Sequence, residues 1–397
     1  MTTKHLPLVV PLLGTILTMI HPACAQTWTQ TSAPVTNWSS VASSADGSKL
    51  IAAVGDPYGP PGHIYTSTNS GATWAPTTAP ITNWAAVASS ADGARLVAAA
   101  GGIYYNYSPI FTSADSGATW IQTSAPITNW TGIASSADGM KLVAVSWGLA
   151  IYTSTNAGTT WMAASNVPPY HQWTAVASSA DGTTLLAAGC MCFVAQAGRV
   201  TVSVDSGLSW TQTEILSYSA SVASVASSAD GSKLVTAGLF ALAASMDAGA
   251  TWIKTNTHTQ AVASSADGTK LVALDAGRTY VSTNGGVTWT QTNAPSLNWR
   301  GVASSADGNK LVVVADVGGI YVWHSSVAPS LSIKPSNRNV VLSWIVPSLD
   351  FVLQENTDLS TTNWTVVTNS PALNLTNVQQ QVTLPGSAVH RFYRLKH

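Results

Sequence analysis

Few acidic side chains of this chain are available for chemistry, because most of them belong to repeated turns. Residues 26–325 contain thirteen Asp and one Glu. Seven of the Asp lie in Ala-Asp-Gly turns and three in Ser-x-Asp-x-Gly turns, which leaves Asp56, Asp275, Asp316 and Glu214. Glycoside hydrolysis ordinarily needs two positioned carboxylates. The four acidic residues outside the repeated turns barely suffice for such a pair, so we assign no catalytic residue and favour a binding protein over an enzyme.

The elements that would position these residues belong to a sevenfold repeat. The stretch VASSADG, or IASSADG in one copy, recurs with a period of 37 to 49 residues. Its aspartates are Asp46, Asp92, Asp138, Asp181, Asp230, Asp267 and Asp307. Such a period with strand-like content is typical of arrays of small sheets that cannot bury both faces alone. Seven sheets arranged radially form a seven-bladed β-propeller, an all-β fold.

One repeat predicts four strands. Trp84–Ser89 is a run of small and β-branched residues, and Asp92-Gly93 after it is a strong hairpin signal. A nearly all-apolar run from Arg95 and the run Ile110–Ser113 provide the second and third strands. A Ser-x-Asp-x-Gly turn then leads into a fourth strand near Trp120. Four strands per unit is the composition of a propeller blade.

The two ends of the repeat region are predicted to share one blade. The last repeat, from Trp299, has only three strands. At the N-terminus, Thr27–Pro34 matches the sequence Thr288–Pro295 that follows a normal turn. An N-terminal strand in the last blade would close the ring and leave no open edge between the first and last blades.

Two tryptophan positions recur, and we interpret both as packing between blades. They are Trp28, Trp74, Trp120, Trp161, Trp210, Trp252 and Trp289 at the fourth strand, and Trp38, Trp84, Trp130, Trp173 and Trp299 at the first. Val222 and Thr259 replace the second set in the two remaining blades. A ligand contact would not need to recur in every blade.

The turn before the fourth strand, S-x-D-x-G-x-[T/S]-W, occurs in six copies and resembles the Asp-box, also called the BNR repeat. Its third residue is Asp115, Asp205 and Asp247 in three copies and Asn69, Asn156 and Asn284 in the others. Asp and Asn both close such a turn by accepting a backbone N–H, so a structural role is favoured.

The chain resembles sialidases only in this box. Its repeat arrangement is also similar to the photosystem II assembly-factor family and to sortilin-type receptors. The resemblance to the latter two groups implies a noncatalytic binder.

Both repeated turns lie on one face of the predicted ring, so ligand-binding residues are expected on the other face, where the variable loops lie. The candidates are Asp56, His63, Tyr105, Trp147, Asp275, Arg278 and Asp316. A polar side facing an aromatic side suits a carbohydrate or a peptide. Loop polarity and the capping of blade ends are the alternatives for these residues. A glycan-active enzyme with an atypical site and a structural surface component are the alternatives for the protein.

The remaining sequence indicates export and a second domain. Residues 1–25 read as a signal peptide, with an apolar run and Ala23-Cys24-Ala25 as the cleavage site. Residues 26–326 would form the propeller. Residues 327–397 predict a small β-sandwich, since LSW…FVLQENTDL…NWTVV…FYRLK resembles an immunoglobulin- or fibronectin-III-like module of exported bacterial proteins.

Composition narrows the choice of partners. Cys190 and Cys192 could form a disulfide, hold a soft metal with too few ligands to specify a site, or be two small buried side chains. Charged residues make up 8% of the chain and the net charge is −1, which argues against nucleic acid. We expect no cofactor, no resident metal, no membrane span after cleavage, and a monomer that is secreted, periplasmic or on the cell surface.

Overall fold

All regular structure in the described part of the chain is β-strand. The computed structural model describes residues 28–55, 60–101, 107–148, 150–167, 172–190, 199–214, 222–238, 242–255, 258–324, 331–336, 339–345, 352–358, 361, 363–374, 379–385 and 391–396. These residues include no helix long and apolar enough to cross a membrane.

Seven four-stranded sheets follow one another along the chain, after an initial strand β1 (Thr29–Gln30). Sheet one is β2 (Trp38–Ser43), β3 (Leu50–Val54), β4 (Ile64–Ser67) and β5 (Ala75–Pro76). Sheet two is β6 (Trp84–Ser89), β7 (Leu96–Ala100), β8 (Ile110–Ser113) and β9 (Ile121–Gln122). Sheet three is β10 (Trp130–Ser135), β11 (Leu142–Ser146), β12 (Ile151–Ser154) and β13 (Met162–Ala163). Sheet four is β14 (Gln172–Ser178), β15 (Leu185–Cys190), β16 (Arg199–Ser203) and β17 (Thr211–Glu214).

The last three sheets of this series have the same plan. Sheet five is β18 (Val222–Ser227), β19 (Leu234–Gly238), β20 (Leu242–Ser245) and β21 (Ile253–Thr255). Sheet six is β22 (Ala261–Ser264), β23 (Leu271–Asp275), β24 (Arg278–Ser282) and β25 (Thr290–Gln291). Sheet seven combines β26 (Trp299–Ser304), β27 (Lys310–Ala315) and β28 (Ile320–His324) with β1.

The predicted strands agree with these bounds at Trp84–Ser89 and Ile110–Ser113, and the three strands predicted for the last repeat are β26, β27 and β28. The fourth strand of sheet two starts one residue after Trp120 and is only two residues long. The second strand of each sheet is the most deeply buried; every residue of β3 and β7 is inaccessible to solvent or nearly so. A strand covered on both faces has this nearly uninterrupted apolar composition.

β1 supplies the fourth strand of sheet seven, as its sequence match predicts. Thr29 is paired with Val322 and Gln30 with Tyr321 in an antiparallel ladder. Trp28 packs beside Trp323, with ring centroids 6.4 Å apart, and its indole N–H donates to Thr292 Oγ1 of sheet six at 3.1 Å. Sheet seven also contacts sheet one, through β2 against β26 and β27.

Both tryptophan sets have the predicted packing role. Trp38, Trp84, Trp130, Trp173 and Trp299 are at most 1% exposed and pack in clusters that join neighbouring sheets. The other set is half-buried, and the indole N–H groups of its six turn members each donate to the carbonyl of the turn glycine, as Trp120 does to Gly117.

A chain of backbone hydrogen bonds links the seven Ala-Asp-Gly turns. The alanine N–H of each turn donates to the alanine carbonyl of the next, and Ala306 donates back to Ala45. The intermediate members are Ala91, Ala137, Ala180, Ala229 and Ala266. The turn glycines are close to the same neighbours: a Cβ on Gly93 would lie 2.7 Å from Lys49 Cδ, and one on Gly47 would lie 2.9 Å from Lys310 Cδ. The basic side chain of one repeat therefore covers the turn of the next, except at Gly231, where Thr184 makes the contact.

The C-terminal residues form two further sheets. The first has the order β29 (Ser332–Ser336), β30 (Asn339–Ile345), β34 (Gln379–Pro385), β33 (Ala372–Asn374), and the second β32 (Thr365–Val366), β31 (Val352–Asn356), β35 (Phe392–Lys396). Leu342, Val382 and Leu353, from both sheets, share one apolar cluster with Trp344 and Leu384. β29 and β33 lie at the two ends of the first of these sheets. Both are edge strands, where Pro335 is tolerated because one side of the backbone makes no ladder bonds.

Candidate functional site

The Ser-x-[Asp/Asn]-x-Gly turns use their polar side chains to hold the turn itself. In sheet two, Ser113 Oγ donates to Asp115 Oδ1 at 2.8 Å and accepts from the N–H of Gly117 at 2.9 Å. Asp115 Oδ1 also accepts from the N–H of Thr119 at 2.8 Å. Hydrogen bonds from the Thr119 hydroxyl, the Thr119 N–H and the Ser113 hydroxyl lower the pKa of Asp115 to about 2. A carboxylate held in this way is a poor proton donor near neutral pH.

Asn occupies the same position in other turns, with the direction of one hydrogen bond reversed. Asn69 Oδ1 accepts from the N–H of Thr73 at 2.9 Å, and Asn69 Nδ2 donates to the Thr73 hydroxyl at 2.9 Å. In the Asp form the corresponding hydroxyl donates instead, from Thr119 Oγ1 to Asp115 Oδ2 at 2.6 Å. Because the threonine hydroxyl can donate or accept, both residues satisfy the turn. The turn therefore has no requirement for a negative charge.

The Ala-Asp-Gly turns are satisfied internally as well. Asp92 Oδ1 accepts from Ser90 Oγ at 2.6 Å and from the N–H of Ala94 at 2.9 Å. Burial raises the pKa of Asp92, but these hydrogen bonds and the charge of Lys49 outweigh it and leave that pKa lowered. At Asp307 burial is deeper and outweighs such hydrogen bonds, so the pKa of that carboxyl is raised.

At the opposite edge of the sheets, sheet seven carries a charged group at the turn between its second and third strands. Asp316 Oδ2 accepts from Arg300 Nε at 3.1 Å, from Arg300 Nη2, and from Asn298 Nδ2 at 3.0 Å. The Asp316 N–H donates to the Asn298 carbonyl at 2.7 Å. The Arg300 side chain is 54% exposed, so its guanidinium keeps donors toward solvent.

Sheet six has a related arrangement at the same edge. His258 Nδ1 and Asp275 Oδ1 lie 2.7 Å apart, and Asp275 is paired with Arg278 across the hairpin. Arg278 is exposed, and a hydrogen bond with Tyr280 and the nearby charge of Asp275 raise its pKa. Sheets six and seven are neighbours, since β26 contacts β22 and β23. His258, Asp275, Arg278, Asn298, Arg300 and Asp316 together form what we call the charged sector.

Alignment of the repeats identifies the residues of this sector that sequence reasoning missed. His258 occupies the position that is Asn37, Asn83, Asn129 or Asn298 in other sheets. Arg300 stands where the other sheets have an uncharged residue, at a bulge of the first strand; these residues are Ser39, Ala85, Thr131, Thr174, Ala223 and Gln260. Thr131 and Thr174 use this position to bond neighbouring sheets through backbone carbonyls. The sequence signal for Arg300 was a long charged side chain at a position that is uncharged in the other repeats, because such a departure from the repeat indicates a specific role.

The other predicted site residues are more widely spaced. His63 is half-buried before the third strand of sheet one; its ring lies 6.2 Å from that of Tyr65, and its buried Nδ1 has no hydrogen-bond partner. Trp147 is half-buried directly after the second strand of sheet three, and its backbone N–H donates to the Asn129 carbonyl. No hydrogen bond among the described residues joins either one to the charged sector.

Some predictions lie outside the described residues: Asp56, Tyr105 and Cys192, as well as the signal peptide. Cys190 ends β15, where it is paired with Gln172, so a disulfide between Cys190 and Cys192 stays a prediction. No group of three or more His, Cys, Asp or Glu suited to a metal ion occurs within the described ranges.

Comparison with known proteins identifies the fold. No protein-family model matches the chain, and no curated protein matches it in sequence. Among solved structures, YCF48 bound to D1 peptide is 14% identical, with a TM-score of 0.56 over 76% of this chain and 97% of that one. YCF48 from Cyanidioschyzon merolae is 15% identical, with a TM-score of 0.56 over 75% and 98%. The β-propeller domain of Swd1 (Cps50) from Myceliophthora thermophila is 14% identical, with a TM-score of 0.59 over 76% and 100%.

These similarities, together with the repeated four-stranded sheets, place this chain among the β-propellers. At such identities the likeness concerns the fold alone.

Proposed function

We propose that the chain is an exported, noncatalytic β-propeller that binds a peptide or protein segment at the charged sector. In this proposal the propeller has seven blades of the Asp-box type and is closed by β1. The C-terminal sheets form a small β-sandwich of the immunoglobulin or fibronectin-III kind. Export rests on the signal-peptide pattern of residues 1–25.

Several contacts support a closed ring of seven blades. The alanine hydrogen bonds return from Ala306 to Ala45, and Lys310 covers Gly47 as Lys49 covers Gly93. The pairing of β1 with β28 gives sheet seven the same number of strands as its neighbours. An open array would have unlike ends.

The observation that carries the binding proposal is the break in the repeat at sheets six and seven. We call the edge of the sheets that carries the Ala-Asp-Gly and Ser-x-[Asp/Asn]-x-Gly turns the turn edge. It is nearly the same in every repeat, and its carboxylates form hydrogen bonds within their own turns. The charged sector instead combines two exposed guanidinium groups, a histidine and two carboxylates. Peptide carbonyls accept from guanidinium donors and peptide N–H groups donate to carboxylates, so the mixed charges suit an extended peptide.

One similar solved structure favours a peptide ligand over a sugar. One of the solved propellers similar to this chain is YCF48 bound to D1 peptide. Carbohydrate recognition commonly needs an exposed aromatic face beside the polar groups. The predicted aromatic residue Trp147 lies beside sheet three, and Tyr280, the aromatic neighbour of Arg278, is half-buried.

The geometry gives no support to catalysis by the His258–Asp275 pair. A histidine held by a carboxylate through Nδ1 serves as a general base when a nucleophile lies at its Nε2. No described side chain forms a hydrogen bond with His258 Nε2. We therefore interpret the pair as a polar contact surface.

A peptide array probed with the chain lacking residues 1–25 tests this proposal. For a peptide selected from the array, Arg300→Gln should weaken binding about 10- to 100-fold, the value of one charge-assisted hydrogen bond. Arg95→Gln is the matched control, because Arg95 is an exposed arginine at the turn edge. Normal binding by Arg300→Gln together with loss of binding by Arg95→Gln would place the ligand on the turn edge and contradict the proposal. A glycan array run in parallel decides between the two ligand classes.

A further inference from the structure

The seven turn alanines form an apolar patch, and a residue from the C-terminal sheets packs on it. Ala45, Ala91, Ala137 and Ala306 are buried, and Ala180, Ala229 and Ala266 are partly buried against them. Leu373 of β33 is the one residue of this cluster from outside the repeats among the described residues. Seven small side chains around a common centre leave room for a branched aliphatic side chain.

The course of the chain brings the C-terminal sheets to this edge. Lys310, just after the turn at Asp307-Gly308, is paired with His324 at the end of β28. The chain therefore leaves sheet seven at its turn edge. Ser332, the first residue of β29, is only eight positions further along, and a connection of this length keeps the C-terminal sheets near that edge.

Burial at the turn of sheet seven differs from burial at the other turns. Asp307 and Asn309 are each 7% exposed, whereas Asp92, Asp138 and Asp181 are exposed to solvent. Asn309 itself covers one carboxylate oxygen, through a hydrogen bond from Nδ2 to Asp307 Oδ2 at 2.6 Å. The raised pKa of Asp307 agrees with this loss of solvent.

We propose that the alanine patch is an interaction surface for the chain's own C-terminal sheets, with Leu373 as the side chain that closes the turn end of the propeller. A ligand can then approach the centre of the propeller only from the edge that carries the charged sector. The C-terminal sheets are thereby held against the propeller rather than joined to it by a linker alone. This proposal needs no ligand and stands independently of the peptide-binding proposal.

Thiol accessibility at the patch tests this proposal in the full chain. Ala137→Cys places a thiol in the alanine cluster, and its reaction with a small maleimide can be located and timed by peptide mass spectrometry. Adding Leu373→Asp should accelerate the reaction about tenfold or more. A carboxylate at this position would lose solvent when the C-terminal sheets pack on the alanine patch, so the patch should be uncovered more often. Val366→Asp is the matched control, since Val366 lies in the same C-terminal region but is 55% exposed; it should leave the rate unchanged.

Two results would overturn the proposal. One is an equal rate with and without Leu373→Asp. The other is equal acceleration by Val366→Asp, which would indicate a general loosening of the C-terminal sheets. If Leu373→Asp does not fold, Leu373→Ala allows the same comparison with a smaller acceleration, and small-angle scattering reports whether the molecule has become more extended.

Discussion

The residue at the third position of each Ser-x-[Asp/Asn]-x-Gly turn works as a hydrogen-bond acceptor, whether or not it is charged. Asp115→Asn should therefore leave the melting temperature nearly unchanged, because Asn69 already makes the same backbone bond in sheet one. Gly71→Val should lower it clearly. Gly71 has a φ of +87°, and a Cβ there would lie 2.9 Å from Val322 Cγ1. Backbone strain of this kind costs about 1–3 kcal/mol before the clash is counted.

Thermal unfolding of the two variants beside the wild type measures this difference. A large loss for Asp115→Asn, combined with tolerance of Gly71→Val, would show that the carboxylate rather than the backbone conformation holds the turn.

The turn aspartates also predict how stability depends on pH. The pKa of Asp115 and of Asp205 is about 2 in the folded chain, below the ordinary value of 3.8. Their stabilisation is therefore complete above about pH 4 and is lost as the pH falls toward 2. The double variant Asp115→Asn, Asp205→Asn should lose less of its melting temperature between pH 5 and pH 2.5 than the wild type does.

Asp307 provides a contrast of opposite sign. Burial raises its pKa, so its ionised form weakens folding as the pH rises through that pKa. Asp307→Asn should raise the melting temperature above that of the wild type at pH 7, and this gain should be smaller at pH 3. A gain that is larger at pH 3 would contradict the burial argument.

At the scale of elements, the strands could be predicted because two kinds of turn recur: an Asp-Gly turn joins the first two strands of a repeat, and a Ser-x-[Asp/Asn]-x-Gly turn joins its last two. The charged sector was predicted only in part. Asp275, Arg278 and Asp316 stood out as charges outside the repeat, whereas His258 was hidden because Thr259 replaces the tryptophan that marks this position elsewhere. The Arg300 contact depends on a bulge at the start of β26, and sheet six has none. Side-chain direction at a bulge cannot be read from an alternating pattern.

The N-terminal strand is the element whose removal should be most damaging. Without residues 26–34, β28 would lose its ladder with Thr29 and Gln30 and become an open edge. Open edges pair with other chains, so the truncated protein should melt earlier and aggregate. Trp28→Ala tests the packing alone; it should cost about 3 kcal/mol, the lower end for a core tryptophan, because Trp28 is half-buried. A monomeric truncated protein with unchanged melting would show that β1 does not complete the sheet.

For the whole molecule, a closed ring and an open array respond differently to the loss of one repeat. Removing residues 84–129 joins Asn83 to Trp130, so the Asn-Trp step that opens each of these sheets is preserved. In an open array each sheet stabilises only its neighbours, and a shortened chain would still fold with somewhat lower stability. In a closed ring, six blades with the packing angles of seven leave a gap of about one seventh of the circle. Two apolar sheet faces, normally covered by neighbours, would then meet water, and the alanine hydrogen bonds could not all form. We therefore expect the shortened chain to be aggregated or to melt far below the wild type, as measured by size-exclusion chromatography and calorimetry. A monomer of near-normal stability would mean that the sheets do not depend on closure, and the ring would have to be abandoned in favour of an open stack.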